Sequence, residues 1–306
     1  MAHELGIVAA PTNLGLRPPE PGAVPGTAKA PEALREAGLH ERLGLLGARE
    51  FGVVLPERYV DDADDGVPRL RNQDAIIRHS RALADRLDEV RAAERRALVL
   101  GGDCGLLVGA GVHLRRHGRY GLVHIDGHTD FRHPGNSPVC HALAGEDLAA
   151  AVGLHWPEVS SIDGPAPYFR PEDTIHVGCR DDDDYLVEVA ALIADVVPAS
   201  QVAADPGQAI DRVRRVVGAP ALDGYWVHLD VDVLDPTVMP AVDSPDPGGL
   251  DIGQLTALLR PLTGAMAGLQ VCVFDPDLDP DGSLARRLAS VLVAALDETP
   301  LPERET

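Results

Sequence analysis

The chain is short of basic residues, aromatics, paired cysteines and long apolar runs, and each shortage excludes something. Lys and Arg number 27 against 48 Asp and Glu, a formal charge of −21. Phosphate backbones are held by clustered cations, so a surface this acidic excludes nucleic acid as a partner. No stretch approaches the roughly 18 apolar residues that a membrane span needs, so no membrane partner is expected. The four cysteines, at 104, 140, 179 and 272, form no C-x-x-C pair and no dense framework. Scattered cysteines in a chain of this size suit a reduced interior. The N-terminal MAHELGIVAAPTNLG carries only a short apolar run and no basic leader. Together these features predict a soluble, cytoplasmic protein. Aromatics make up 4% of the 306 residues, so Ala, Val and Leu must fill most of the core. Small aliphatics of this kind suit helices packed on a parallel sheet whose strands are buried on both faces.

What is present is a recurring alternation. Strand-length apolar runs occur at Leu5–Ala10, Phe51–Leu55, Ala97–Leu100, Tyr120–Ile125, Thr174–Val177, Tyr225–Val231 and Leu269–Phe274. Amphipathic stretches lie between them. In Gln73–Ala93, for example, Ile76, Leu83, Leu87 and Val90 share one helical face. Further helices are predicted over Leu106–Arg116, Ala142–Val152, Tyr185–Ala194, Gln208–Val217, Ile252–Leu259 and Leu284–Leu296. Such alternation predicts βαβ crossovers and a three-layer α/β/α fold with a mostly parallel central sheet. No linker divides the chain, and residues 1–306 read as one domain. The Pro-rich segment Pro11–Pro31 reads as a loop over one end of the sheet. The acidic runs Asp61–Asp65 and Asp181–Asp184 read as loops.

Open parallel sheets bind ligands beyond the carboxyl ends of their strands. Three strand ends carry chemistry: Gly101-Gly102-Asp103-Cys104, Asp126-Gly127-His128-Thr129-Asp130, and His228-Leu229-Asp230-Val231-Asp232-Val233-Leu234-Asp235-Pro236. On an extended chain residues i, i+2 and i+4 point the same way. Asp126, His128 and Asp130 can then face one side, and Asp230 with Asp232 another. Four converging carboxylates repel one another in a cleft of lowered dielectric, which one or two divalent cations would relieve. Oxygen ligands with an imidazole suit Mn²⁺ best, with Fe²⁺ and Zn²⁺ as rivals.

These motifs resemble those of the arginase–agmatinase (ureohydrolase) family, which carries G-G-D-H, D-A-H-x-D and D-V-D-x-x-D-P in this order. PGTAKAPEALREAGL resembles the family's early Gly-Pro loop and following helix, VGCRDDD its Gly-x-Arg-Asp segment, and DPTVMPAVDSPDPGGL its loop after the third motif. The resemblance implies an arginase/deacetylase-like fold and a metal-activated water that attacks a guanidinium carbon. It implies Asp126 and Asp230 as ligands shared by two Mn²⁺ ions, with His128 and Asp232 completing one site. Asp130 would serve the other site and stand with His141 among the catalytic residues, His141 matching the family's proton-shuttle histidine. Asp181 and Asp183 match positions that contact the far end of the substrate. Family members commonly form trimers or hexamers, so a homo-oligomer is implied.

Two departures shape the expectation. Cys104 stands where the family has a histidine ligand, and a thiolate favours Zn²⁺ or Fe²⁺ over Mn²⁺. Val273 stands where the family has the Glu that grips the guanidinium, with Asp275, Asp277 or Asp279 nearby as a substitute, Asp275 being the substrate contact expected. The sequence therefore predicts a metal-dependent hydrolase of linear C–N bonds in a small-molecule amidine, modified guanidine or related substrate, rather than a plain arginase. One alternative is a catalytically inactive protein that uses the fold for binding or assembly. The other is a hydrolase or transferase built on Cys104.

Overall fold

Val, Ile and Leu crowd the short runs because the strands they form are covered on both sides. The computed structural model describes residues 4–63 and 67–297. Its strands are Leu5–Ala10 (β1), Arg49–Val53 (β2), Arg96–Gly101 (β3), Gly121–Ile125 (β4), Thr174–Val177 (β5), Asp195–Val197 (β6), Tyr225–Asp230 (β7) and Gly268–Cys272 (β8). They form one sheet in the order β2-β1-β3-β8-β7-β4-β5-β6. Every pairing is parallel. The helices are Ala30–Glu36 (α1), Leu39–Gly44 (α2), Gln73–Ala92 (α3), Leu106–Arg115 (α4), Asp147–Ala151 (α5), Pro157–Ser160 (α6), Leu186–Leu192 (α7), Ala199–Ala204 (α8), Pro206–Val217 (α9), Ile252–Thr263 (α10) and Ser283–Leu296 (α11). They pack in two groups: α3 with α4 and α6, and α4 with α5, in one; α9, α10, α11, α2 and α1 in succession in the other. This is the three-layer arrangement that the alternation predicts. Helix α3 buries Ile76, Leu83, Leu87 and Val90, the face that the periodicity identifies.

Some boundaries differ, for local reasons. The second strand lies at Arg49–Val53 rather than Phe51–Leu55, on the sheet edge where one side is solvated and apolar content says little. β6 is only three residues long and was not anticipated. The helix expected over Ala142–Val152 shortens to α5, because a 3-10 turn at Leu143–Gly145 precedes it and the Glu146 carboxylate accepts from the Ala142 amide. The Pro-rich segment ends in the 3-10 turn Gly26–Lys29 and in α1, the helix that the resemblance implies, with Pro31 in its first turn. Asp61–Ala63 has no regular structure, while Asp64 and Asp65 lie outside the described residues.

The chain order places the site. After β3 it skips across the sheet to β4, moves outward to β5 and β6, then returns through β7 and β8 to fill the gap. β4 and β7 are thus neighbours, with His124 opposite His228 and Ile125 opposite Leu229. Their carboxyl ends deliver Asp126 and Asp230 side by side.

Candidate metal centre

Both motifs leave the sheet through the same turn. The Asp126 carboxylate accepts from the His128 amide at 2.7 Å, and the Asp230 carboxylate accepts from the Asp232 amide at 2.7 Å. An Asp that bonds its own backbone two residues on reverses the chain in a small space. The i, i+2 residues therefore share a side because of these turns, not because the strand continues: β4 ends at Ile125, and Val231–Val233 is a 3-10 turn. Two glycines permit the crowding. A Cβ on Gly102 would lie 1.7 Å from the Thr12 carbonyl oxygen, and one on Gly127 would lie 2.7 Å from that of Asp232.

Ligating atoms of Asp126, His128 and Asp232 lie within 4.8 Å of one another. Those of Cys104, Asp126 and Asp230 form a second group with His228, and Asp126 belongs to both. His128 is held at both ring nitrogens, Nδ1 at 2.9 Å from Asp232 and Nε2 at 3.1 Å from Asp246. Burial works to lower its pKa, but the Asp232 hydrogen bond and the charges of Asp232, Asp126 and Asp130 override it and lift it to about 11. The same contact holds Asp232 below the usual carboxylate range despite its burial. Burial, and then the charge of Asp232 on Asp126 and Asp230 and of Asp126 on Asp130, push these three carboxyls well up. The Asp126 Oδ2 atom is buried without a hydrogen-bond partner. Carboxylates that repel one another, one of them with an unpartnered oxygen, beside an imidazole already directed at two of them, fit a divalent cation. Asp126, His128 and Asp232, with Asp230 adjoining, would hold it.

His128, Asp130, Asp230 and Asp232 line a cleft of about 640 Å³, while Asp126 is fully buried and does not line it. Asp183 also lines it, and its carboxylate fastens the metal loop by accepting from the Thr129 amide (2.9 Å) and hydroxyl (2.6 Å). Arg180 donates to the carbonyls of Asp232 and Asp246, tying the second motif to the loop after it.

Other expected site residues are placed elsewhere. Asp181 accepts from the Ser200 hydroxyl and does not line the cleft. Asp275 caps its own turn and accepts from the Gly26 amide, also outside the cleft. His141 sets Nδ1 against the Arg69 carbonyl, and only its neighbour Ala142 reaches the cleft wall. Asp130, at a left-handed φ of 46°, lines the cleft but joins neither ligand group. Cys104 is fully buried, donates to Asp230 at 2.8 Å, and has its thiol pKa pushed well up by burial, Cys272 and Asp230. Val273 lines the cleft at a φ of 71°, a conformation that a β-branched residue rarely adopts.

The sequence reading assigned no role to His124, His228 and Asp246. The first two had a signal: each stands two residues before a motif Asp, so the same spacing extends one step into the sheet. Asp246 lay in a quoted loop, but only the fold brings it back to His128.

A family model described as the arginase family matches residues 4–296. The arginase of Bacillus caldovelox is 28% identical over 283 residues, covering 89% of this chain and 91% of the relative. Arginase-1 of Bos taurus is 27% identical over 304 residues, covering 95% and 91%. The solved arginase of Bacillus caldovelox superposes with a TM-score of 0.85 at 25% identity, over 98% of this chain and 100% of that one. The proclavaminate amidinohydrolase of Streptomyces clavuligerus shares the fold with a TM-score of 0.68 at 23% identity, over 96% and 90%. With paired carboxylate turns on adjacent strands and a family match along almost its whole length, this chain belongs to the arginase family.

Proposed function

We propose that the chain is a metal-dependent hydrolase of linear C–N bonds, acting on a small amidine, modified guanidine or related compound. One observation carries the reading: ligating atoms of Asp126, His128 and Asp232 converge, and His128, Asp232 and Asp230 also line a cleft. A cation there would lower the pKa of water and polarise the substrate. Mn²⁺ is the proposed metal, and Zn²⁺ and Fe²⁺ are the alternatives that a Cys104 thiolate would select. Asp183 and Asp246 hold the ligand loops in place. Asp130 lines the cleft and is the acid–base candidate there, whereas His141, whose Nδ1 meets the Arg69 carbonyl, does not line it. Asp181 and Asp275 are not carried forward as substrate contacts.

Arginine is disfavoured as the substrate because Val273 presents no carboxylate to a guanidinium. Catalysis by Cys104 is disfavoured because the thiol is fully buried and donates to Asp230. Loss of catalysis altogether is disfavoured because uncompensated buried carboxylates are expensive to keep. We further propose that residues 1–306 act as one domain in a cytoplasmic homo-oligomer, a trimer or hexamer. No described helix is long and apolar enough to cross a membrane.

The test is a panel of guanidino and amidino compounds incubated with the manganese-loaded protein, with urea and ammonia release measured. Turnover of at least one compound, abolished by chelation and by Asp232→Asn, is the expected result. No turnover of any compound, together with no bound metal, would sink the reading.

A further inference from the structure

Beneath the metal loops lies a row of buried polar groups that hydrolysis as outlined does not use. His176, His124, His228 and Gln270 stand side by side on β5, β4, β7 and β8, all fully buried. His124 stacks on His228 with ring centroids 4.4 Å apart and planes within 4°. At one end of the row, hydrogen-bond chemistry fixes a tautomer. The Trp226 Nε1–H can only donate, so the Gln270 atom it meets at 2.9 Å is the amide oxygen. The Gln270 amide nitrogen therefore faces His228 Nδ1, at 2.8 Å, and donates to it. A neutral imidazole whose Nδ1 accepts must carry its hydrogen on Nε2. The nearest carboxylate oxygen to that Nε2–H is Asp126 Oδ2 at 3.7 Å, beyond hydrogen-bond distance, and neither atom has a hydrogen-bond partner.

This N–H stands in the group formed by Cys104, Asp126, His228 and Asp230, the half of the centre where the family places its second ion. A metal ligand must offer a lone pair, and His228 offers a hydrogen. The Cys104 S–H occupies Asp230 Oδ2 at 2.8 Å, so a cation there would have to displace the thiol proton and break that contact. Asp130, the remaining ligand expected for this ion, does not join the group. His128 differs in what faces its far nitrogen: the Asp246 carboxylate accepts there, so the ring can keep that hydrogen and give up the one on Nδ1, which faces Asp232 and Asp126, to an incoming cation.

We propose that the half of the centre built around Cys104 takes no second cation, because the Cys104 S–H holds Asp230 and the His228 N–H points its positive end into that half, leaving Asp126 to the one ion shared with His128 and Asp232. The protein then works with one ion per chain, held by Asp126, His128, Asp232 and Asp230. This rests on the metal-dependent reading above and specifies its metal count.

The experiment loads purified protein with excess Mn²⁺, removes free ion by gel filtration, counts bound manganese and records the electron paramagnetic resonance spectrum. Wild type is expected to hold one ion per chain, with the hyperfine sextet of an isolated Mn²⁺. In Gln270→Glu, a carboxylate would accept from both Trp226 and His228. The His228 hydrogen would move to Nδ1, and an Nε2 lone pair would face the site. The double variant Cys104→His/His228→Ser removes the N–H and restores an imidazole at 104. Either variant is expected to rise toward two ions per chain and to show the denser spectrum of an exchange-coupled pair. Two ions in wild type would overturn the proposal and leave the hydrolase reading intact. One ion in wild type and in both folded variants would overturn the role given to the two donors. No bound metal in wild type would overturn this proposal and the metal-dependent reading together.

Discussion

Asp246 holds the side of His128 that faces away from the ligand group, accepting from Nε2 at 3.1 Å while Nδ1 faces Asp232. A carboxylate in that position fixes the ring orientation and raises ligand basicity, and its loss typically weakens metal binding about 10–100-fold. Asp246→Ala should weaken Mn²⁺ binding by that order in a calorimetric titration, with little effect on folding because Asp246 is exposed. An unchanged dissociation constant would remove Asp246 from the site. The acidic turn supplies a contrast. Asp183→Ala severs the contacts to Thr129 and should lower both metal affinity and turnover, while Asp181→Ala, which loses only a Ser200 contact, should change neither. The sequence could not separate these two residues. Both sit in one run of identical side chains, and the turn alone decides which carboxylate swings toward the DGHTD loop. Asp126, His128, Asp230 and Asp232 were legible because motif and spacing both marked them. His124 and His228 carried the same spacing, but on apolar strands a lone buried histidine reads as core.

At the scale of elements, legibility followed length and burial. α3, twenty residues with one apolar face, and the strands β1, β3, β4, β5, β7 and β8, covered on both sides, were all marked by repeated evidence. The three residues of β6 gave no period to detect, and the exposed edge strand β2 was displaced by two residues because edges are not fixed by burial. The sheet order was not legible at all, since the gap between β3 and β4 is filled only when β7 and β8 return. Caps that were not anticipated support some elements. Asp251 accepts from the Gln254 amide at 2.7 Å while the Gln254 side chain accepts from the Asp251 amide, a reciprocal box at the start of α10. Asp251→Ala should therefore cost about 1 kcal/mol in urea denaturation. α10 packs on both α9 and α11, so a loss there should appear in the global transition. A cost near zero would mean that this packing alone fixes the helix start.

At the scale of the whole molecule, stability should depend on pH and metal together, and the sign follows from which state holds protons. The folded chain keeps His113, His79, His124, His176 and His228 below the ordinary value of 6.5, chiefly by burial. As pH falls through 6.5 the unfolded chain takes up protons that the folded chain refuses, so stability drops. For His113, which faces Asp88, His117 and Arg91, the loss runs from 6.5 down to about 4. The buried carboxylates act in the other direction. Asp126, Asp130 and Asp230 are held well above 3.8, first by burial and then by neighbouring charge, that of Asp232 on Asp126 and Asp230 and that of Asp126 on Asp130. Above 3.8 the unfolded chain releases protons that the folded one keeps, so metal-free stability falls as pH rises, until the folded carboxylates ionise too. His128, lifted to about 11, stays protonated across this window without metal, so a cation must displace its proton as well. A bound dication favours the ionised carboxylates and neutral imidazole that high pH supplies, so its stabilisation grows with pH. The rise in Tm on adding Mn²⁺ to chelator-stripped protein should accordingly be larger at about pH 8 than at about pH 6. Scanning calorimetry on stripped and loaded samples at both values measures it. An equal rise at the two values would mean that the ion displaces no protons, and would place it away from these carboxylates.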